Sequence, residues 1–351
     1  MRMLVLGGTG FLGRPLVRHL RAAGHEVAVF HRGQDCQEAA LHLHGSRREL
    51  AAFAPAISAF NPDVVVDTIA GSASAAQQTM AAVAGYNRRV VLISSMDVYR
   101  AWGVFYGTEA GPPEVGLLRE TSPLRGRPGP YPPAALAQLR RLHPWMDEGY
   151  DKLGMECAAA ACARGGWHGR ITLLRLPPMY GPGDVHHSLY PLWRRMQDAH
   201  PAMVLQRGWA EWRCARGYVE NMAAGVALAT CDARAAGRVY NLADNGNDSQ
   251  MEWAAAVAEA AGWQGKVLTL APALTPPGLR VTANFAQACA SDTRSIRREL
   301  EFQESVSRGQ ALALTLAWER AHPPAEGEAA PFDYAAEAAA LNALGVAALA
   351  A

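Results

Sequence analysis

The sequence predicts an α/β protein: a doubly wound parallel sheet followed by a smaller C-terminal α/β domain. Two observations predict it. Short runs rich in β-branched residues alternate with helical patterns through the first half of the chain, the arrangement of a parallel sheet covered on both faces. Several of these runs are continuously apolar, as in Val64-Val65-Val66 and Val90-Val91-Leu92-Ile93, which suits strands buried on both sides.

Taken in order, strands are expected over 3–8, 26–30, 41–44, 63–68, 90–95 and 170–176, with helices between them, for example over 11–23 and 73–85. Eight prolines fall between residues 99 and 145. Such punctuation predicts a long irregular loop, and loops of that length in compact domains commonly act as lids. After residue 176 the pattern loosens, although 238–242 reads as a strand returning to the main sheet. The first domain is therefore expected over 1–176, with 217–243 returning to it. The second takes 177–216 and 244–351, whose Ala- and Glu-rich tail from residue 323 reads as a surface helix with a frayed end.

Composition narrows the function classes. The 351 residues include 33 basic and 32 acidic side chains, for a net charge of +1. That balance argues against nucleic acid as a partner, since a basic surface would be needed. No run of about 18 apolar residues is present to cross a membrane, and the first residues lack the apolar stretch of a signal peptide. A cytoplasmic location is expected. Cys36, Cys157, Cys162, Cys214, Cys231 and Cys289 are scattered without a CxxC pair, so reduced thiols and no metal site are expected. Only two of the 33 basic residues are lysines, Lys152 and Lys266. Where arginine has taken over general charge, a retained ammonium invites a specific role.

The sharpest local signal is Met3-Leu4-Val5-Leu6-Gly7-Gly8-Thr9-Gly10-Phe11-Leu12-Gly13, a strand, a glycine turn and a helix start. Glycines at 7, 10 and 13 permit the tight turn, let backbone approach a pyrophosphate, and pack the helix on the strand. The helix N-terminus offers that anion free N–H groups and a partial positive charge. Thr9, Phe11 and Leu12 complete the turn. At the end of the second strand, a carboxylate would hold a ribose 2′-hydroxyl and a basic residue would accommodate a 2′-phosphate. Here stand His31 and Arg32, and Arg14 follows the last glycine. The expected cofactor is NAD(P), with a lean toward NADP; an arginine stacked on adenine would serve NAD equally.

With these residues the chain resembles the extended short-chain dehydrogenase/reductase family, in its NAD-dependent epimerase/dehydratase group. The glycine turn carries the resemblance together with Pro62-Asp63-Val64-Val65-Val66-Asp67, Ile93-Ser94-Ser95-Met96-Asp97-Val98-Tyr99 and Lys152-Leu153-Gly154-Met155-Glu156. Leu174-Arg175-Leu176-Pro177-Pro178-Met179-Tyr180-Gly181-Pro182-Gly183-Asp184, Gly217-Tyr218-Val219-Glu220-Asn221 and Val239-Tyr240-Asn241 extend it in family order. The resemblance implies a Rossmann domain with substrate bound in the cleft beside a smaller domain. It implies oxidation of a hydroxyl on a sugar-like or nucleotide-linked small molecule to a transient or final ketone, by an epimerase, dehydratase or reductase. It leaves room for a homodimer. Ser95 stands at the family's catalytic serine and Lys152 at its lysine, which holds the nicotinamide ribose and lowers a tyrosine pKa. Ser94 and Pro177 join the cofactor-binding set. The contrasting reading is a Rossmann binding or regulatory protein without catalysis.

The tyrosine departs from the family pattern. Tyr-x-x-x-Lys would place it at 148, where this chain has Glu148. Tyr150 lies two residues before the lysine. On a continuous helix a two-residue step points away, so Tyr150 serves only if the helix begins after it. Otherwise Glu148 takes the position as a base, or Tyr106 or Tyr131 reaches in from the loop. Asp97, on the face of its strand that Ser95 shares, reads either as a base for a proton α to a ketone or as a cap for the next turn. Tyr180, His186, Arg213 and Arg216 are the candidates for substrate contact.

Overall fold

The computed structural model describes residues 1–34, 39–84, 88–129, 131–142, 146, 149–167, 169–198, 200–325 and 332–343. Among them the strands are β1 (Arg2–Leu6), β2 (Glu26–His31), β3 (Leu41–His44), β4 (Val64–Asp67), β5 (Arg89–Ser95), β6 (Ile171–Leu176), β7 (Met179–Tyr180), β8 (Ala202–Gln206), β9 (Gly217–Tyr218), β10 (Val239–Asn241) and β11 (Lys266–Leu270). Seven form the main sheet, in the order β10-β6-β5-β4-β1-β2-β3, and every neighbouring pair is parallel. The chain thus works outward in one direction from β1 and then in the other from β4. Between those two strands lies the switch point, where open α/β sheets bind ligands. β10 joins beside β6 with Val239 opposite Leu173, so the returning strand is formed. β7 pairs with β9 and β8 with β11 as two further small sheets.

The apolar runs explain the layers. Val64, Val65, Val66, Val90, Val91 and Leu92 are all buried, because helices cover both faces. On one face Leu16, Val17 and Leu20 of helix Gly13–Ala22 pack with Met222 and Val226 of helix Val219–Cys231. On the other, Ala76 and Met80 of helix Ala73–Ala82 pack with Met155 and Ala159 of helix Lys152–Cys162. Each such buried Leu, Val or Met side chain contributes about 1.5–3 kcal/mol when fully removed from water.

Two expectations need correction. The stretch 99–145 is not irregular throughout: it contains helices Arg100–Tyr106 and Pro133–Leu142. The first forms because Ala101, Trp102, Val104 and Phe105 have a partner to bury against, with Phe105 stacked 4.3 Å from the Trp212 ring. The second starts at a proline, which is compatible with the first helical position. The tail helix Tyr334–Ala343 does more than skirt the surface. Its Leu341 is buried, and its buried Glu337 pairs with Arg195 at 2.6 Å. The five cysteines among the described residues are free; Cys36 lies outside them. No helix of the described residues is long and apolar enough to cross a membrane.

Candidate active site

A cleft of about 710 Å³ opens over the C-terminal ends of the central strands. Every cofactor candidate borders it: Gly7, Thr9, Gly10, Phe11, Leu12 and Gly13 from the turn, His31 and Arg32 from the end of β2, Ser94, Lys152 and Pro177. The turn is shaped for a backbone approach. Gly7 has φ +89°, and a Cβ on Gly13 would stand 2.1 Å from the Gly7 carbonyl oxygen. Helix Gly13–Ala22 begins there and directs its free N–H groups outward. This cradle, with a cleft of such volume, fits a dinucleotide pyrophosphate. Gly13→Ala has no side chain to displace, only backbone, so it is expected to destabilise the fold by about 1–3 kcal/mol and to abolish dinucleotide binding. Denaturant melts and a nucleotide titration check both.

Arg14 donates from Nε to the Thr9 carbonyl at 2.9 Å and so braces the turn. Arg32 is exposed on the cleft rim. His31 is buried, and its ring nitrogens lie 3.1 Å from the Gly33 carbonyl oxygen and 2.8 Å from His42 Nδ1.

Lys152 opens helix Lys152–Cys162, whose N-terminus Asp151 caps by accepting from the N–H groups of Leu153 and Gly154 at 3.2 and 2.9 Å. The Lys152 ammonium is buried and donates to the carbonyls of Ala70 at 2.8 Å and Ile93 at 2.7 Å. Burial pulls its pKa down to about 8, against the opposing pull of Asp67 and Asp97. Ser95 ends β5 at the cleft wall, where its Oγ also accepts from the Asp97 N–H at 3.2 Å. Ser94 points its hydroxyl at Glu156, 2.6 Å away.

The helix therefore begins after Tyr150, the condition under which that ring is released from the helical period. Asp151 is extended, at φ −158° and ψ 105°, so its two neighbours leave the backbone on one side. Glu148 lies outside the described residues. Tyr150 is partly buried and lies near Asp97, outside the lining of the cleft that Lys152 and Ser95 border. Burial, then the Asp97 carboxylate, push the Tyr150 phenol well above its ordinary pKa. Tyr131 donates to Asp97 Oδ2 at 2.8 Å and is pushed up by the same causes. The Tyr106 ring lies 5.5 Å from that of Tyr131. Burial raises Asp97, with Arg125 opposing.

Arg125 was not singled out by its sequence context, yet it ties this cluster together. Its side chain is 1% exposed. It donates to the Asp97 carbonyl at 2.6 Å, to the Arg127 carbonyl at 2.6 Å and to Asp151 Oδ1 at 3.1 Å. The proline-rich segment is thereby fastened to both the serine turn and the lysine helix. Arg47 also went unnoticed. It borders the cleft, pairs with buried Asp67 at 2.6 Å and donates to Thr79 Oγ1 at 2.6 Å. A Gly-Ser-Arg tripeptide carries no signal that would have marked it.

The substrate candidates separate. Tyr180 and Arg216 border a second cavity of about 200 Å³, together with Asp244, Asp248 and Trp253. Arg216 stacks 4.5 Å over the Trp253 ring and donates to the Asp248 carbonyl at 3.1 Å. Arg213 borders neither cavity; it is half exposed and forked on Glu252 at 2.8 and 2.9 Å. His186 is exposed and borders neither, while His187 beside it pairs with Glu319 at 2.7 Å.

A doubly wound parallel sheet whose glycine turn, strand ends and buried lysine meet at one cleft defines a Rossmann-type dinucleotide-binding enzyme. The model of the NAD dependent epimerase/dehydratase family matches residues 3–243, and the chain belongs to that family. Over 250 residues it is 29% identical to the 2′-dehydrokanamycin reductase of Streptomyces kanamyceticus, a match that spans 69% of this chain and 62% of that relative's length. Among solved structures it is similar to the dTDP-glucose 4,6-dehydratase of Bacillus anthracis in complex with NAD, with TM-score 0.66, 15% identity and coverage of 92% of this chain and 97% of that one. It is similar as well to the UDP-glucose 4-epimerase of Thermotoga maritima with UDP-glucose, at TM-score 0.66, 19% identity and coverage of 92% and 99%. At these identities the structural likeness is one of fold.

Proposed function

We propose that this chain is an NAD(P)-dependent enzyme of the epimerase/dehydratase type that oxidises a hydroxyl of a sugar-like or nucleotide-linked small molecule to a ketone. The observation that carries the reading is the buried Lys152 ammonium facing the cleft that the glycine turn and Ser95 also border. A nicotinamide bound there supplies the site of hydride exchange. Ser95 hydrogen-bonds the reacting oxygen from the end of β5. Lys152 holds the ribose, and its positive charge favours the ionised form of a phenol brought beside it. Tyr150, as the phenolate, takes the proton of the substrate hydroxyl as the hydride leaves for the nicotinamide. Residues 1–176 with 217–243 hold the dinucleotide, and 177–216 with 244–351 hold substrate, in a cytoplasmic setting that keeps the thiols reduced.

Heating the purified protein and identifying released nucleotide by mass spectrometry tests the reading. Retained NAD⁺ supports a reaction that regenerates its cofactor; a chain with no nucleotide affinity overturns it. The likeness to a named reductase favours one second reading, net reduction of a ketone, for which the site would bind NADPH from solution. Tyr150→Phe is expected to lower kcat on the order of 10²-fold, as loss of a positioned proton carrier does, and Tyr131→Phe by less. Steady-state rates of both variants decide between the two phenols. The lean toward NADP rests on Arg32. Arg32→Ala should raise KM for NADPH roughly tenfold, the scale of one charged hydrogen bond, and leave KM for NADH unchanged.

A further inference from the structure

We propose that His31, His42 and His44 form a binding site for one divalent transition-metal ion of the zinc type at the edge of the main sheet. Strand register builds the site. His31 ends β2 directly opposite His44 of β3, and His42 lies two residues before His44, hence on the same face. One ring nitrogen from each of the three lies within 4.8 Å of the others. His31 Nε2 and His42 Nδ1 face each other at 2.8 Å, and the His31 and His44 ring centres are 4.4 Å apart.

Imidazole nitrogen suits zinc, copper and nickel, whereas calcium and magnesium take oxygen. Zinc–nitrogen bonds of about 2.0–2.1 Å set tetrahedral ligand nitrogens about 3.3 Å apart. Closing the triad on an ion therefore asks the outer ring to move on the order of 1.5 Å, a side-chain rotation that the exposed His44 can make.

A second observation orients the innermost ligand. His31 Nδ1 lies 3.1 Å from the Gly33 carbonyl oxygen. A carbonyl only accepts, so Nδ1 carries the proton, and in the neutral ring that a metal requires Nε2 turns its lone pair toward His42. Metal-bound histidines are held in this way, by a backbone carbonyl on the other ring nitrogen. Exposure then rises outward, with His31 3% exposed, His42 partly exposed and His44 open to solvent. The site thus has a fixed inner ligand, an entry path and, with three protein ligands, one position left for water or a ligand. His31 also borders the dinucleotide cleft, so the ion would stand beside the end of β2. The competing uses of the cluster are a hydrogen-bonded chain of imidazoles with no ion, and a protonated triad that receives an anion such as a 2′-phosphate.

The test uses the full chain stripped with a chelator and titrated calorimetrically with Zn²⁺, then with Co²⁺ followed by its visible absorption. The expected result is one ion per chain, with tetrahedral Co²⁺ bands and no thiolate charge-transfer band. Loss of one ligand should weaken binding at least as much as loss of an outer partner, on the order of 100-fold. His44→Ala, at an exposed position, and His42→Ala should both show this with unchanged melting in the absence of metal. Equal binding by wild type and both variants overturns the proposal as adventitious binding. So does absence of binding; a loss of NADPH affinity relative to NADH in His44→Ala would then assign the triad to an anion.

Discussion

Lys152→Ala lowers kcat/KM on the order of 10³-fold in the expected result, the scale of a positioned charge and proton path removed together. The side chain is buried and held between the Ala70 and Ile93 carbonyls at 2.8 and 2.7 Å. Alanine leaves those two oxygens without their donor and the cleft without its ammonium. Lys152→Arg is expected to fail as well. A planar guanidinium cannot occupy a point between two carbonyls meant for a compact, tetrahedral donor. Turnover by Lys152→Ala at the wild-type rate would remove the lysine from the mechanism. The pH dependence gives an independent reading. Activity that needs the cation falls as pH rises through about 8, the value to which burial pulls Lys152. Its contribution to stability has the opposite sign. Between about 8 and the ordinary 10.5 the unfolded chain binds a proton that the folded chain has lost, so stability rises with pH across that window. Rate profiles and urea midpoints over that range should therefore slope in opposite directions for wild type, and the lysine's part of both slopes should vanish in Lys152→Ala.

Much of this site was legible in the sequence because its signals are local. The glycine turn, the end of β2, Ser95 and Lys152 announce themselves through short spacings, and all of them border one cleft. The position of Tyr150 hinged on where a helix begins. Asp151 is a favourable capping residue, and its place directly before the lysine was the signal for that start. The residues that sequence reasoning passed over, or named without telling apart, owe their roles to distant partners. Arg213 and Arg216 look alike in sequence, but Glu252 holds one at the surface at 2.8 Å, while Trp253 stacks under the other. Arg125 sits among prolines and glycines with nothing to mark it, and only the approach of Asp97 and Asp151 gives it a function. The histidine triad is similar: His31 lies eleven residues from His42, and strand register alone brings them together. Helix Arg100–Tyr106 forms in a proline-rich segment because tertiary burial of Trp102 and Phe105 outweighs the local punctuation.

Glu156→Ala is expected to cost about 3–5 kcal/mol of stability, the penalty for leaving a buried charge without its partner. Glu156 is 5% exposed and Arg175 3%. The carboxylate accepts from Arg175 Nε at 2.9 Å on one oxygen and from its terminal nitrogen at 2.6 Å on the other, and from Ser94 at 2.6 Å. Arg175 goes on to donate to Tyr99 Oη at 3.0 Å, and that hydroxyl donates to Asn241 Oδ1 at 2.6 Å. One polar chain thus runs from helix Lys152–Cys162 through β6 and the turn after β5 to β10. Truncating Glu156 leaves Ser94 and two Arg175 nitrogens without their acceptor, whereas Glu156→Gln keeps an oxygen for Arg175 and should lose less. The pair is not thereby a net source of stability. Glu156→Leu combined with Arg175→Met removes both charges, and its cost should fall well short of the two single losses added together, as for other buried pairs replaced by apolar residues. What the double variant should not recover is rate. Ser94 would lose its partner beside Ser95, and helix Lys152–Cys162 would lose its polar tie to the sheet, so Lys152 would be placed less accurately over the cleft. Urea midpoints that recover while kcat stays low would assign the network to positioning; recovery of both would reduce it to packing.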